Sequence, residues 1–158
     1  MSRIRRGRGH RGQTLVEFAL ILPIFILLLM GIFDLGRAVY AYNTISNAAR
    51  EAVRVAIVDQ ACSTVGAEAD ARAASLDVNW DSDALDPCSD VDGEIDINYL
   101  DASLDGTECA APIAMGCYAE VTVRYEFTAA TPIIGNLLGT LHMEATTRQG
   151  VEFTNPDF

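Results

Sequence analysis

Hydrophobic residues dominate the first fifth of the chain. Phe18–Phe33 contains 16 consecutive residues without a charge, bounded by the carboxylates of Glu17 and Asp34. A strongly apolar helix of roughly this length is typical of a membrane span. The pattern therefore predicts a transmembrane segment over about residues 15–33. Pro23 lies inside the run, where it removes one backbone hydrogen bond, so a kink or local melting of the helix is expected there.

Beyond Asp34 the apolar positions recur every three or four residues, which is the spacing of an amphipathic helix. The predicted stripe comprises Leu35, Ala38, Val39, Tyr42, Ile45, Ala49, Ala52, Val53, Ala56 and Ile57. The predicted polar face comprises Arg37, Asn43, Asn47, Arg50, Glu51 and Arg54. No proline or glycine interrupts residues 37–61, so Thr14–Val58 is predicted to be one helix, about 65–70 Å long at 1.5 Å per residue.

The remainder of the chain changes to an alternating pattern with turns. A short second helix is predicted at Glu68–Leu76, and strands are predicted at Glu94–Leu100, Tyr118–Thr128 and Thr140–Gln149. In the clearest strand, Ala119, Val121, Val123, Tyr125 and Phe127 are expected to face inward, and Glu120, Thr122, Arg124, Glu126 and Thr128 to face water. A helix followed by antiparallel strands predicts an α+β fold, in which the long N-terminal helix packs on a small antiparallel sheet.

Charge divides the chain into two parts. Five of the 11 basic residues precede Gly12 and no acidic residue does, so the remainder carries 6 basic and 22 acidic residues, a net charge of −16. An arginine-rich flank stays on the cytoplasmic side of a membrane span. We therefore expect a single-pass protein with a cytoplasmic N-terminus and an outer head. So acidic a head excludes nucleic acid as a partner.

These patterns predict three regions. Residues 1–12 form a basic leader that is expected to be disordered, residues 13–61 form the long helix, and residues 62–158 form an extracytoplasmic head. The leader does not resemble an ordinary secretory signal, because no small-residue cleavage site follows the apolar run. Gly12, before the run, is the natural place for a cut. The alternative is an uncut tail that only fixes the orientation of the helix.

All four cysteines follow the predicted span: Cys62, Cys88, Cys109 and Cys117. Their number is even, they form no C-x-x-C pair, and only one histidine accompanies them, which argues for two disulfides rather than a zinc site. Three pairings are possible. Short loops favour Cys62–Cys88 with Cys109–Cys117.

Other chemistry-bearing residues have plainer explanations. Asp90, Asp92, Glu94 and Asp96 could supply oxygen ligands to calcium, but their spacing does not fit an EF-hand loop, so we expect a solvated acidic surface and no cofactor. His142 is expected on the outer face of the last strand. Since no nucleophile motif accompanies this histidine, we expect no enzymatic activity.

One tryptophan and two arginines of the head are expected to have structural roles. Trp80 is expected to anchor the acidic loop by packing, with contact to a partner as the alternative. Arg124 and Arg148 are expected to pair with carboxylates of the strands or loops.

The sequence around the apolar run resembles two related patterns. A glycine at 12, a carboxylate at Glu17, the aromatic Phe18 and an uncharged helix containing Pro23 resemble type IV prepilins. More narrowly, RGQTLVEFALILPIFILLLMGIFDLGRAVYAYNTISNAAREAVRVA resembles the opening of TadE-like proteins, which are minor pilin-like components of tight-adherence (Flp) pilus machinery. The tail VTVRYEFTAATPIIGNLLGTLHMEATTRQ also resembles that family's closing strand, loop and strand.

The resemblance implies cleavage between Gly12 and Gln13 by a membrane prepilin peptidase. The mature chain would help to assemble a thin adhesive pilus, with other pilins, an ATPase and an inner-membrane platform as partners. It would pack as a homo- or hetero-oligomer through its N-terminal helix. The protein would then reside in the cytoplasmic membrane, or in an extracellular pilus after processing.

Glu17 gives this reading a physical basis. A carboxylate within an apolar span is costly, by roughly 2.5–3.5 kcal/mol at mid-bilayer. Cleavage after Gly12 would create an amine on Gln13 that can pair with Glu17 of a neighbouring subunit. In the simpler alternative, Glu17 sits among lipid headgroups near Arg11 and has no specific contact. The competing function is an uncleaved, membrane-anchored domain whose outer head binds a ligand or surface.

Overall fold

The computed structural model describes residues 10–81, 88–89, 92–101, 107–109, 113, 116–132, 135–136 and 139–152. Its first element, α1, is a single helix at His10–Ala56. The 47 residues correspond to about 70 Å at 1.5 Å per residue. The helix runs through Pro23 without interruption, so local melting is not observed there, and a bend at this residue stays a prediction.

The helix begins earlier than the sequence predicts. Residues 10–12 were expected to belong to a disordered leader, and for these three residues the expectation is wrong. Adding a residue to a formed helix is far easier than starting one, so the strong apolar helix extends back into its polar flank. Residues 1–9 lie outside the described part.

The second helix, α2, spans Cys62–Ala73 and continues into a 3-10 turn at Ala74–Leu76. The predicted helix therefore begins six residues too late. Ser63 and Thr64 are weak helix formers, but Val65 and Gly66 are buried. Tertiary packing outweighs the local preference.

Three strands form one antiparallel sheet in the order β1-β2-β3: β1 at Ile95–Asp101, β2 at Cys117–Thr128 and β3 at Thr140–Gly150. The central strand places Val121 opposite both Ile97 and Thr147. The predicted strands match these bounds to within a residue at either end. Together with α1 and the shorter α2, this sheet confirms the predicted α+β fold.

The core lies between the upper half of α1, α2 and one face of the sheet. The upper part of the predicted stripe is buried, but Leu35, Val39 and Tyr42 are 65%, 53% and 54% exposed, so the prediction is wrong for its lower part. Ala41 and Ala48 are buried in their place. The head covers α1 on one side only, which the spacing of apolar residues does not reveal.

One residue on the outer face of β2 also departs from expectation. Thr122 was expected to face water, but it is only 4% exposed. Its hydroxyl group shares a hydrogen bond of 2.9 Å with the hydroxyl group of Thr146 on β3. A cross-strand threonine pair of this kind stabilises the sheet, and it gives the buried hydroxyl group of Thr122 a hydrogen-bond partner.

Candidate membrane-anchoring helix and its junction with the head

The lower half of α1 makes no core with the rest of the described chain. Its large apolar side chains are exposed, including Leu20 and Ile24 at 70% and 71%. Among the described residues, one helix, α1, is both long enough and apolar enough to cross a membrane. No part of its most apolar stretch is buried. So large an apolar surface requires cover by lipid or by other helices.

The residues predicted to direct processing lie on the first turns of α1. Gly12, Gln13, Glu17 and Phe18 are all exposed, and Phe18 is 61% exposed. The side-chain amide of Gln13 donates a hydrogen bond to Glu17 at 3.4 Å, as the i, i+4 spacing allows. The structure thus brings Gln13 and Glu17 together on one accessible face. Their role in processing stays a prediction.

Asp34 fixes the head to the helix where the apolar run ends. Its two carboxylate oxygens accept hydrogen bonds from the backbone N–H groups of Ala130 and Thr131, at 2.9 and 3.0 Å. The guanidinium of Arg37, one turn further on, lies 3.5 Å from the same carboxylate and stands over the ring of Phe127. Asp34 is only 5% exposed. The connection between β2 and β3 is therefore tied to the first charged residue after the span.

The environment of Asp34 favours its charged form. Hydrogen bonding from Thr131 lowers the pKa of the carboxyl group, burial acts in the opposite direction, and Ala130 and Arg37 lower the pKa further. Sequence reasoning missed this contact. The carboxylate and the two amides are almost a hundred residues apart, and backbone donors leave no signature in the sequence.

Two disulfides hold the outer side of the head: Cys62–Cys88 and Cys109–Cys117, with Cα–Cα distances of 5.0 and 6.3 Å. This is the pairing that the sequence analysis favours. The first ties the start of α2 to a residue whose carbonyl accepts a hydrogen bond from Ile97 of β1. The second ties β2 to a residue whose backbone N–H donates to Tyr99 of β1. Each disulfide therefore joins a residue hydrogen-bonded to the edge strand β1 to another element of the head, α2 in the first case and β2 in the second.

The charged side chains of the sheet pair with one another, as predicted. Arg124 lies 3.3 Å from Asp96 and 3.6 Å from Glu144, and Arg148 pairs with Glu120. His142 is exposed on the outer face.

Of the four residues considered for calcium, Asp90 lies outside the described part. Asp96 is engaged by Arg124, and Glu94 accepts a hydrogen bond from the backbone of Asn79. No group of three or more potential ligands occurs among the described residues.

Trp80 packs against the core, with its indole ring over Gly66 of α2. This agrees with the predicted packing role.

A single exposed apolar helix at the N-terminus, carrying a small α+β head, suggests a membrane-anchored protein. Residues 12–54, about a quarter of the chain, match the family described as TadE-like protein, which confirms the resemblance noted in the sequence. No curated protein and no solved structure matches the chain. The family match suggests a component associated with a Tad pilus. The matched segment coincides with the anchoring helix and ends two residues before α1 does.

Proposed function

We propose that this protein is a pilin-like structural or assembly component of a tight-adherence pilus. It is cleaved after Gly12 by a prepilin peptidase and then packs against other pilins through α1. The observation that carries the proposal is the match of residues 12–54 to TadE-like proteins, on a helix whose lower half is exposed. The protein acts as a substrate of processing and a building element, without a catalytic site or a cofactor of its own.

Exposed apolar residues above the span support packing between helices. Val39 and Tyr42 lie on α1 beyond Asp34, one turn apart, and are more than half exposed. The head leaves both side chains uncovered, and a helix that served only as a tether would not need them. A second helix laid along α1 would bury both.

Glu17 supplies the second contact. After cleavage, the new amine of Gln13 and the carboxylate of Glu17 lie one helical turn apart on an exposed face. Between adjacent helices shifted along their axes, the amine of one subunit pairs with the carboxylate of the next. Pairing neutralises two charges that are costly near the bilayer.

The proposal is tested by cross-linking in membranes of cells that produce the pilus. We expect Val39→Asp and Glu17→Ala each to reduce cross-linking to other pilins and to reduce pilus assembly at least several-fold. Glu51→Ala, a charge change higher on α1 where the residue pairs with Arg54, is the matched control and should behave as wild type. Unchanged cross-linking in both test variants would instead favour an uncleaved anchor with a binding head.

A further inference from the structure

A shallow apolar groove lies where α1 leaves the predicted span and meets the lower edge of the head. The groove has a volume of about 200 Å³. We define the junction surface as its apolar lining from the head, Phe127, Ala129, Gly139 and Leu141, with Gly31, Leu35 and Ala38 of α1. Asp34 also lines the groove, but it is only 5% exposed and its carboxylate accepts hydrogen bonds from two backbone N–H groups. Two of its members, Leu35 and Leu141, are 65% and 40% exposed. Part of the head's own apolar surface is thus left open beside the anchor.

Asp34 fixes the height of this surface relative to the bilayer. The uncharged run Phe18–Phe33 is about 24 Å long at 1.5 Å per residue, which is shorter than a hydrocarbon core of about 30 Å. Asp34 therefore cannot stand well above the bilayer surface. Because Ala130 and Thr131 are hydrogen-bonded to its carboxylate, the lower edge of the head is held at the same level.

The apolar lining continues the span beyond its charged end. Leu35 and Ala38 extend the apolar surface by about 6 Å past Asp34 on the grooved side, at 1.5 Å per residue. The predicted span at residues 15–33 is about 28 Å long, slightly less than a hydrocarbon core of about 30 Å, and this addition more than makes up the difference. When a span is shorter than the hydrocarbon core, the bilayer becomes thinner around it or other apolar protein surface enters the bilayer beside it. Here the head provides such a surface.

The distribution of charge along the chain also favours contact of this edge with lipid. Phe127–Leu141 contains 15 residues without a charge, the longest such run after α1, in a part of the chain that is otherwise strongly acidic. An acidic surface at the membrane would be repelled by anionic lipids and would hold water. The carboxylate that lines this groove, Asp34, is instead engaged by the backbone N–H groups of Ala130 and Thr131 and by Arg37. The remaining acidic residues can then stay in solvent.

We propose that the junction surface is a second membrane contact, in which acyl chains of the leaflet on the same side as the head fill the groove and the head rests on the bilayer. This inference needs only that α1 spans the membrane. It is independent of leader cleavage and of packing between pilins. It goes beyond the proposed function because it states how the head lies relative to the bilayer.

The test is made on the full-length wild-type chain in nanodiscs that hold one copy each, with a phosphatidylcholine carrying a diazirine in its acyl chain. The chain contains no lysine, so trypsin cuts only after arginine. It releases the end of β2, the connection and most of β3 as the single peptide Tyr125–Arg148. We expect lipid adducts on this peptide at a level several-fold above that on Val55–Arg72, which carries the top of α1 and most of α2. Equal labelling of the two peptides would overturn the proposal.

A matched pair of spin labels locates the contact. Leu141→Cys and His142→Cys place the label on neighbouring residues of β3 that face opposite sides of the sheet, while the native cysteines stay in disulfides. We expect the label at 141 to be several-fold more accessible to oxygen, relative to a water-soluble nickel complex, than the label at 142. Equal accessibility would overturn the proposal, and so would protection of position 141 from both reagents, which indicates cover by protein.

Discussion

At the scale of single residues, Gly66 shows how closely the head is packed. A Cβ atom at this position would overlap with the indole ring of Trp80, although α2 would otherwise accept alanine readily. Trp80 is the only tryptophan in the chain, so its fluorescence and near-ultraviolet circular dichroism report on this one contact.

Gly66→Ala is therefore expected to destabilise the head by about 1–3 kcal/mol, the usual cost of overpacking, with a change in the tryptophan signal. Chemical denaturation in detergent measures both effects. The matched control is Gly36→Ala on α1, where a Cβ atom meets nothing within 4 Å and alanine should stabilise the helix by about 0.5–1 kcal/mol. Equal effects of the two substitutions would contradict the packing role of Trp80.

The stability that the carboxylate of Asp34 contributes is expected to depend on pH. Because its pKa is lowered in the folded protein, its contribution to stability is complete above its ordinary value of 3.8 and is lost as the pH falls through the lower folded value. We expect the amide NMR signals of Ala130 and Thr131 to shift with a midpoint below 3.8. In Asp34→Asn this titration should disappear. A midpoint at or above 3.8, or the same titration in both proteins, would show that the carboxylate does not hold the two amides.

At the scale of elements, the sequence predicts most where periodicity is strong. The alternation in Tyr118–Thr128 and Thr140–Gln149 places both strands within a residue of their observed bounds, and the long apolar run places α1. A strand that is buried on one face has apolar and polar residues in alternation, and this alternation is visible in the sequence. Short loop length also favoured the disulfide pairing that the structure contains.

The sequence fails where long-range contacts decide. The start of α2 depends on packing of Val65 and Gly66, and the exposure of Val39 and Tyr42 depends on which side of α1 the head covers. The junction at Asp34 depends on backbone donors far away in the chain. None of these contacts has a local pattern, because each is fixed by an element that is distant in sequence.

At the scale of the whole molecule, the two halves of α1 have different surroundings. Its upper half forms one wall of the core of the head, and its lower half exposes large apolar side chains. Asp34 stands at the boundary and ties the head down by two hydrogen bonds. In the proposed pilus component, the head therefore follows the helix as one unit when α1 moves from the bilayer into an assembly.

The most direct test of this account is the N-terminus of the protein isolated from its native membranes. Intact mass and N-terminal sequencing distinguish a chain that begins at Gln13 from one that keeps residues 1–12. The proposed pilin-like function predicts Gln13 at the terminus, and a Gly12→Val variant that retains Met1. A wild-type chain that begins at Met1 in cells producing the pilus would contradict the account and leave α1 as a permanent anchor.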